Sequence, residues 1–184
     1  MKSCSAMNRV TLVAVREQNE GQVLFDHLIA SRAPRAVAAV RFAIAFVFIT
    51  EGIQKFLYPA ALGVDRFAKI GIPAPQMMAP FVGVVEISCG VLVLVGLLTR
   101  LVALALAIDM VVAITSTKLP ILFGEGFWGF ANPTTRTGFW GMAHEARTDI
   151  AMLLCCVFLV AVGAGLLSID HRIAARRDLT RRSP

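Results

Sequence analysis

Apolar residues run almost without interruption over residues 35–57, 77–98, 101–119 and 149–167, and each run approaches the ~20 residues that a helix needs to cross the hydrocarbon core of a bilayer. The pattern predicts an all-α integral membrane four-helix bundle occupying residues 35–170. Only Thr99 and Arg100 separate the second run from the third, which makes those helices an antiparallel hairpin. Around the spans lie an N-terminal tail over 1–34, a connection over 57–76, an aromatic loop over 118–148 and a basic tail over 171–184. Residues 10–15 are too short an apolar core for a cleaved secretion signal, so the first span is the expected anchor. In the N-terminal tail, Val23, Leu24, Phe25, Leu28 and Ile29 surround Asp26 and His27, with Arg32 following. That mixture suits either a short helix on the membrane surface or an unstructured arm.

Composition agrees with lipid as the main solvent: 57% of residues are hydrophobic and 16% charged, and the mean hydropathy is +0.72. The net charge of +6 is unevenly placed. Lys2, Arg9, Arg16, Arg32 and Arg35 precede the first span, Arg100 lies in the hairpin turn, and Arg172, Arg176, Arg177, Arg181 and Arg182 follow the last. Basic flanks stay in the cytoplasm, so the N- and C-termini are both expected there, in a multi-pass protein of a bacterial inner membrane. The same bias, with attraction to anionic lipid, accounts for the charge without a nucleic-acid partner.

The outer loop contains GFWGFANPTTRTGFWG (residues 126–141), in which Gly-Phe-Trp-Gly occurs twice and which holds both tryptophans, Trp128 and Trp140. Pro120, Pro133 and several glycines exclude another helical span there. Two readings stay open for its aromatics. They form a belt at the water–lipid boundary, or the flanking glycines press them inward as a lid over a pocket.

Ionisable residues inside the spans give such a pocket its candidates. Glu51 and Lys55 fall in the first span, Glu86 in the second, Asp109 in the third and Asp149 at the start of the fourth. Charges there are costly in lipid, so they either serve a function or lock helices together. At ~1.5 Å per residue, Glu86 and Asp109 lie near mid-membrane and the others nearer the outer face, in one column. Gly83 and Gly90 flank Glu86, and Ala105 and Ala113 flank Asp109, so small residues mark both faces as helix contacts. Glu51 and Lys55 stand four residues apart and are expected to pair. Arg41, toward the cytoplasmic end, either snorkels to the headgroups or meets an inner partner. Cys89, Cys155 and Cys156 are mid-span and expected to pack as small apolar residues. There is no Cys-x-x-Cys or haem-attachment motif, and His27, His144 and His171 are scattered, so no metal and no covalently bound cofactor are expected.

Taken in order, these residues resemble the DoxX family of small four-helix membrane proteins, over about residues 35–172. The resemblance rests on Arg41, on Gly52 and Lys55, on Gly71 and Pro73, and on Glu86 and Gly90 leading into Gly96, Thr99 and Arg100. It continues through Met110 and Ala113 to Gly163, Gly165, Ser168 and Asp170. Cys89 stands where a glycine is usual, the outer loop is long, and the family's acidic residue near the fourth span aligns with either Glu145 or Asp149. The resemblance implies a membrane subunit of a redox system, the best-known member being a thiosulfate:quinone oxidoreductase. It thereby implies a quinone as ligand. Electrons would come from a separate redox protein, and a homo-oligomer is the other partner expected. A quinone site needs an apolar slot, aromatic walls and proton carriers. The candidate walls are Phe127, Trp128, Phe139 and Trp140; the candidate relay or pocket groups are Glu51, Lys55, Glu86, Asp109, His144 and Asp149. The alternatives are a proton or small-solute carrier, set back by the lack of internal repeats, and a structural or assembly component.

Overall fold

A computed structural model describes residues 33–124 and 126–182. The N-terminal stretch considered for a surface helix lies outside them. Helix α1 covers Val37–Leu57, the short α2 Val64–Ile70 and α3 Pro75–Val95. Helix α4, Thr99–Ala113, continues through a π-helical turn, Ile114–Lys118, into α5, Leu119–Phe123. The long α6 covers Gly138–Val162 and α7 covers Ile169–Arg182. The fold is all-helical; the only pairing of β type among the described residues is an isolated bridge between Phe127 and Phe130.

Among the described residues three stretches, Val37–Leu57, Pro75–Val95 and Thr99–Phe123, are long and apolar enough to cross a membrane. Their length reflects the apolar runs, but the third and fourth helices differ from expectation in their bounds. The third stretch does not stop at 119. Proline at 120 sits in the first turn of α5, where its missing N–H is tolerated, and ahead of it the Leu119 N–H reaches back five residues to the Ile114 carbonyl. The fourth helix begins at Gly138 rather than 149 and ends at Val162 rather than 167. Its first half mixes helix formers such as Met142, Ala143 and Ala146 with the polar His144, Glu145, Arg147 and Asp149, whose charge and polarity hid the helix from a hydropathy reading. Gly163, at φ +84°, ends it. The aromatic loop shrinks accordingly to 124–137, and Phe139 and Trp140 belong to a helix.

The four long helices pair chiefly as α1 with α3 and α4 with α6. The first pairing is set by glycine: a Cβ built on Gly52 would lie 2.7 Å from the Gly83 carbonyl oxygen, and one on Gly90 2.7 Å from the Ile49 side chain. Backbones therefore approach as closely as glycine permits, which supplies the packing that lipid cannot drive. Between the pairs lies a core that includes Ile44, Phe48, Val93, Leu106, Cys156 and Leu159. Phe42, Phe46, Phe81 and Leu154 instead point outward and are more than half exposed, as lipid-facing side chains should be.

Candidate functional site

Polar groups gather at two places. At one end of the bundle, buried Arg41 of α1 donates four hydrogen bonds to backbone carbonyls: Nε to Val93 (2.9 Å), Nη2 to Leu94 (2.7 Å), and Nη1 to Ala164 (2.9 Å) and Leu167 (2.7 Å). The carbonyls at a helix C-terminus lack partners within the helix, so one guanidinium ties the ends of α3 and α6 to the start of α1. Beside it the Asp170 carboxylate accepts from the Leu98 and Thr99 N–H groups at 2.8 and 3.0 Å, capping the start of α4. Ser168 accepts from the His171 N–H at 3.1 Å and starts α7. Gly96 makes the crossing possible, for at φ +71° a Cβ there would stand 2.6 Å from Ser168 Cβ and 2.8 Å from the guanidinium carbon of Arg41. Arg41 thus takes an inner partner and does not snorkel.

The second place lies toward the end that carries the aromatic loop. Lys55, in the last turn of α1, reaches across to α3 and donates to Glu86 Oε2 at 2.6 Å, with both side chains almost fully buried. Across α4, Lys118 of the π-helical turn pairs with Asp149 of α6 at 3.2 Å. Asp109 sits between them, within electrostatic reach of Lys55 and Asp149, and its Oδ2 is buried without a hydrogen-bond partner. The π turn contributes more than Lys118. Its buried Ser116 and Thr117 hydroxyls fold back onto the Val112 and Ala113 carbonyls, so the irregular backbone is satisfied internally.

Four of the expected site residues therefore converge: Lys55, Glu86, Asp109 and Asp149. The others do not. Glu51 is exposed and does not pair with Lys55, since at ~100° per residue it lies a quarter-turn from the buried Gly52 face while Lys55 lies nearer it. His144 is exposed and meets only Arg147, Nδ1 to Nη1 at 3.2 Å. Glu145 pairs with Arg136 at 3.4 Å on the surface, so of the two acidic residues near this helix it is Asp149 that faces the cluster. Lys118 was missed because it closes an apolar run beside a proline, where a lysine ordinarily marks the start of a loop.

The aromatics do not form a lid. Phe127 and Phe130 exchange backbone hydrogen bonds at 2.9 Å, closing a tight turn that holds Trp128 at φ +55° and throws its ring outward, 85% exposed. Trp140, on the first turn of α6, is 82% exposed. Phe139 stacks edge-on against Trp140 and is also exposed, while Phe127 stacks on Phe123. Neither indole covers the Lys55–Glu86 pair, because the glycines set turn and helix geometry that faces these rings away from the bundle. The loop is nonetheless fixed, its Ala131 N–H donating to the Ile70 carbonyl of α2 at 2.9 Å.

Comparison with known proteins places this geometry in a context. A family model, DoxX, matches residues 36–119, from the start of α1 through the π turn. An uncharacterized membrane protein of Mycobacterium tuberculosis is 51% identical over 152 residues, covering 83% of this chain and 90% of that protein. An uncharacterized protein of Haemophilus influenzae is 30% identical over 140 residues, 76% of this chain and 91% of its own length. CatD of Bacillus subtilis, which bears a provisional oxidoreductase name, is 28% identical over 124 residues, 67% of this chain and 76% of that protein. No solved structure matches significantly.

Proposed function

Because the chain belongs to the DoxX family, we propose that it is the membrane subunit of a quinone-linked redox system and works beside a separate catalytic protein that supplies the electrons. The observation that carries this reading is the cluster of Lys55, Glu86, Asp109, Lys118 and Asp149, buried at Glu86 and half-buried elsewhere, which gathers proton-bearing side chains from all four long helices. Ionisable groups inside a span are retained when they do chemistry or lock helices. The chain's other buried polar centre, around Arg41, already does the locking. A quinone offers two carbonyl oxygens that need hydrogen-bond donors, and on reduction two protons; the lysines and the free oxygen of Asp109 are the groups suited to both roles. The provisional oxidoreductase name of CatD points the same way. In this reading the protein sits in a bacterial inner membrane with both termini cytoplasmic and the cluster opening toward the outer face, and the exposed indoles serve as an interfacial belt.

Binding of decylubiquinone to the purified protein in nanodiscs tests the reading. A rise in melting temperature with decylubiquinone, lost in Lys55→Gln, is the expected result. No rise at saturating quinone in folded protein would remove the quinone from the proposal.

A second reading has its own observation. Both lysines of the cluster are already engaged in ion pairs, as they would be in a purely structural component whose charges serve as interhelical glue. Such a protein would show the same stability losses on mutation without any response to quinone.

A further inference from the structure

We infer that Asp109 holds the proton that balances the charged cluster and is the group through which the cluster exchanges protons. The exchange role rests on the redox reading above; the presence of the proton does not. Three carboxyl groups, Glu86, Asp109 and Asp149, face two ammonium groups, Lys55 and Lys118, so one negative charge has no counterpart. The geometry says which. Glu86 takes Lys55 at 2.6 Å and Asp149 takes Lys118 at 3.2 Å, which leaves Asp109 without a cation of its own. Its Oδ2 is buried and accepts no hydrogen bond; Asp149 Oδ2 accepts none either, but it has the Lys118 ammonium at 3.2 Å.

Every helix packed around Asp109 bears on the point. From α1 comes Lys55, already engaged; from α3 come Glu86 and Cys89; from α6 come Asp149 and Cys156. Glu51, exposed on α1, adds only a further negative charge near Glu86. The donors in this shell, the Lys55 ammonium and the cysteine thiols, make no hydrogen bond to the buried Asp109 Oδ2, and its neighbours Ile108 and Val112 face outward toward lipid, 57% and 54% exposed. An ionised carboxylate oxygen left without a hydrogen bond in such surroundings is far costlier than a neutral carboxyl, so the proton settles there. As a neutral acid Asp109 can give its proton to a ligand oxygen and, once ionised, take one back. Glu86 and Asp149 each have a lysine within ion-pair distance, whereas Asp109 has none of its own.

Two measurements on the full-length protein in phosphatidylcholine nanodiscs test the inference. The infrared spectrum at neutral pH should contain a protonated-carboxyl C=O stretch that is lost in Asp109→Asn, and the variant should melt close to wild type because an amide mimics the neutral acid. A band that is missing, or that survives in Asp109→Asn, overturns the inference. Should the variant not fold, the second measurement decides on the native chain: dicyclohexylcarbodiimide, which attacks protonated carboxyls in apolar surroundings, should leave its N-acylurea on Asp109 in preference to Glu86 and Asp149, and less of it as pH rises. Labelling of Glu86 or Asp149 in place of Asp109, or none of the three, counts against it. If decylubiquinone fails to bind while the Asp109 band stands, the redox reading falls and the proton assignment remains.

Discussion

The arginine end and the lysine cluster solve the same problem, charge inside a bundle, in opposite ways. Arg41 spends its donors on four backbone carbonyls, and Asp170 accepts from two backbone N–H groups. Backbone partners are fixed by the fold, so this end has one arrangement, even though the buried Thr99 hydroxyl beside it has no partner. In the lysine cluster, side chains pair with side chains, and two buried carboxyl oxygens, Asp109 Oδ2 and Asp149 Oδ2, accept no hydrogen bond. Side-chain pairs can exchange partners and protons without moving a helix. Partners fixed in the backbone hold structure, and partners that are themselves side chains are where chemistry is to be sought.

The contrast can be broken most forcefully at Arg41. Arg41→Leu strands four carbonyls at buried helix ends and is expected to cost more than ~4 kcal/mol, enough to abolish folded protein on size-exclusion chromatography. A well-folded Arg41→Leu variant would show that the clasp is dispensable. Next comes Lys55→Met, which leaves Glu86 buried and unpaired at a cost of about 3 kcal/mol; the double variant Lys55→Met with Glu86→Met should recover much of that loss, because the pair's charges then vanish together. Melting temperatures of the single and double variants check it, and additive losses would mean that Glu86 has other partners. Gly96→Ala, with its new Cβ against Ser168 and Arg41 at positive φ, should cost ~2 kcal/mol and lower the melting temperature with no effect on the lysine cluster. The smallest effect belongs to the exposed turn. Trp128→Gly removes a side chain that packs on little and relieves a positive φ, so stability in detergent should change by less than ~1 kcal/mol. A large loss there would mean that Trp128 is covered by something the single chain does not contain.

Much of this architecture was legible in the sequence, for reasons that also mark its limits. The spans of α1 and α3 follow from unbroken apolar runs, and their contact from Gly83 and Gly90. The fourth helix was read too short because hydropathy registers lipid contact, while α6 begins with polar residues that are helical all the same. Lys55 was paired with Glu51 since spacing along one helix is visible in a sequence; its true partner, Glu86, lies on another helix and becomes apparent only when the glycine crossing brings α1 and α3 together. The tryptophans were legible as a concentration of aromatic side chains, yet the direction of Trp128 depends on a two-residue turn, and that of Trp140 on where α6 begins, neither of which a hydrophobic pattern records. Asp170 showed as part of a motif, but its capping of α4 links residues more than seventy positions apart.

The π-helical turn at Ile114–Lys118 has a consequence for ancestry. A helix that closes its hydrogen bonds over five residues instead of four holds one residue more than an α-helix spanning the same height. Deleting one residue between Ile114 and Thr117 would let the segment relax to an ordinary α-helix and keep everything beyond it in phase, whereas deleting one elsewhere in α4 would turn Lys118 by ~100° away from Asp149. Gaps among related chains should therefore gather in this turn, and chains that carry such a gap should still place a basic residue opposite the acid of α6.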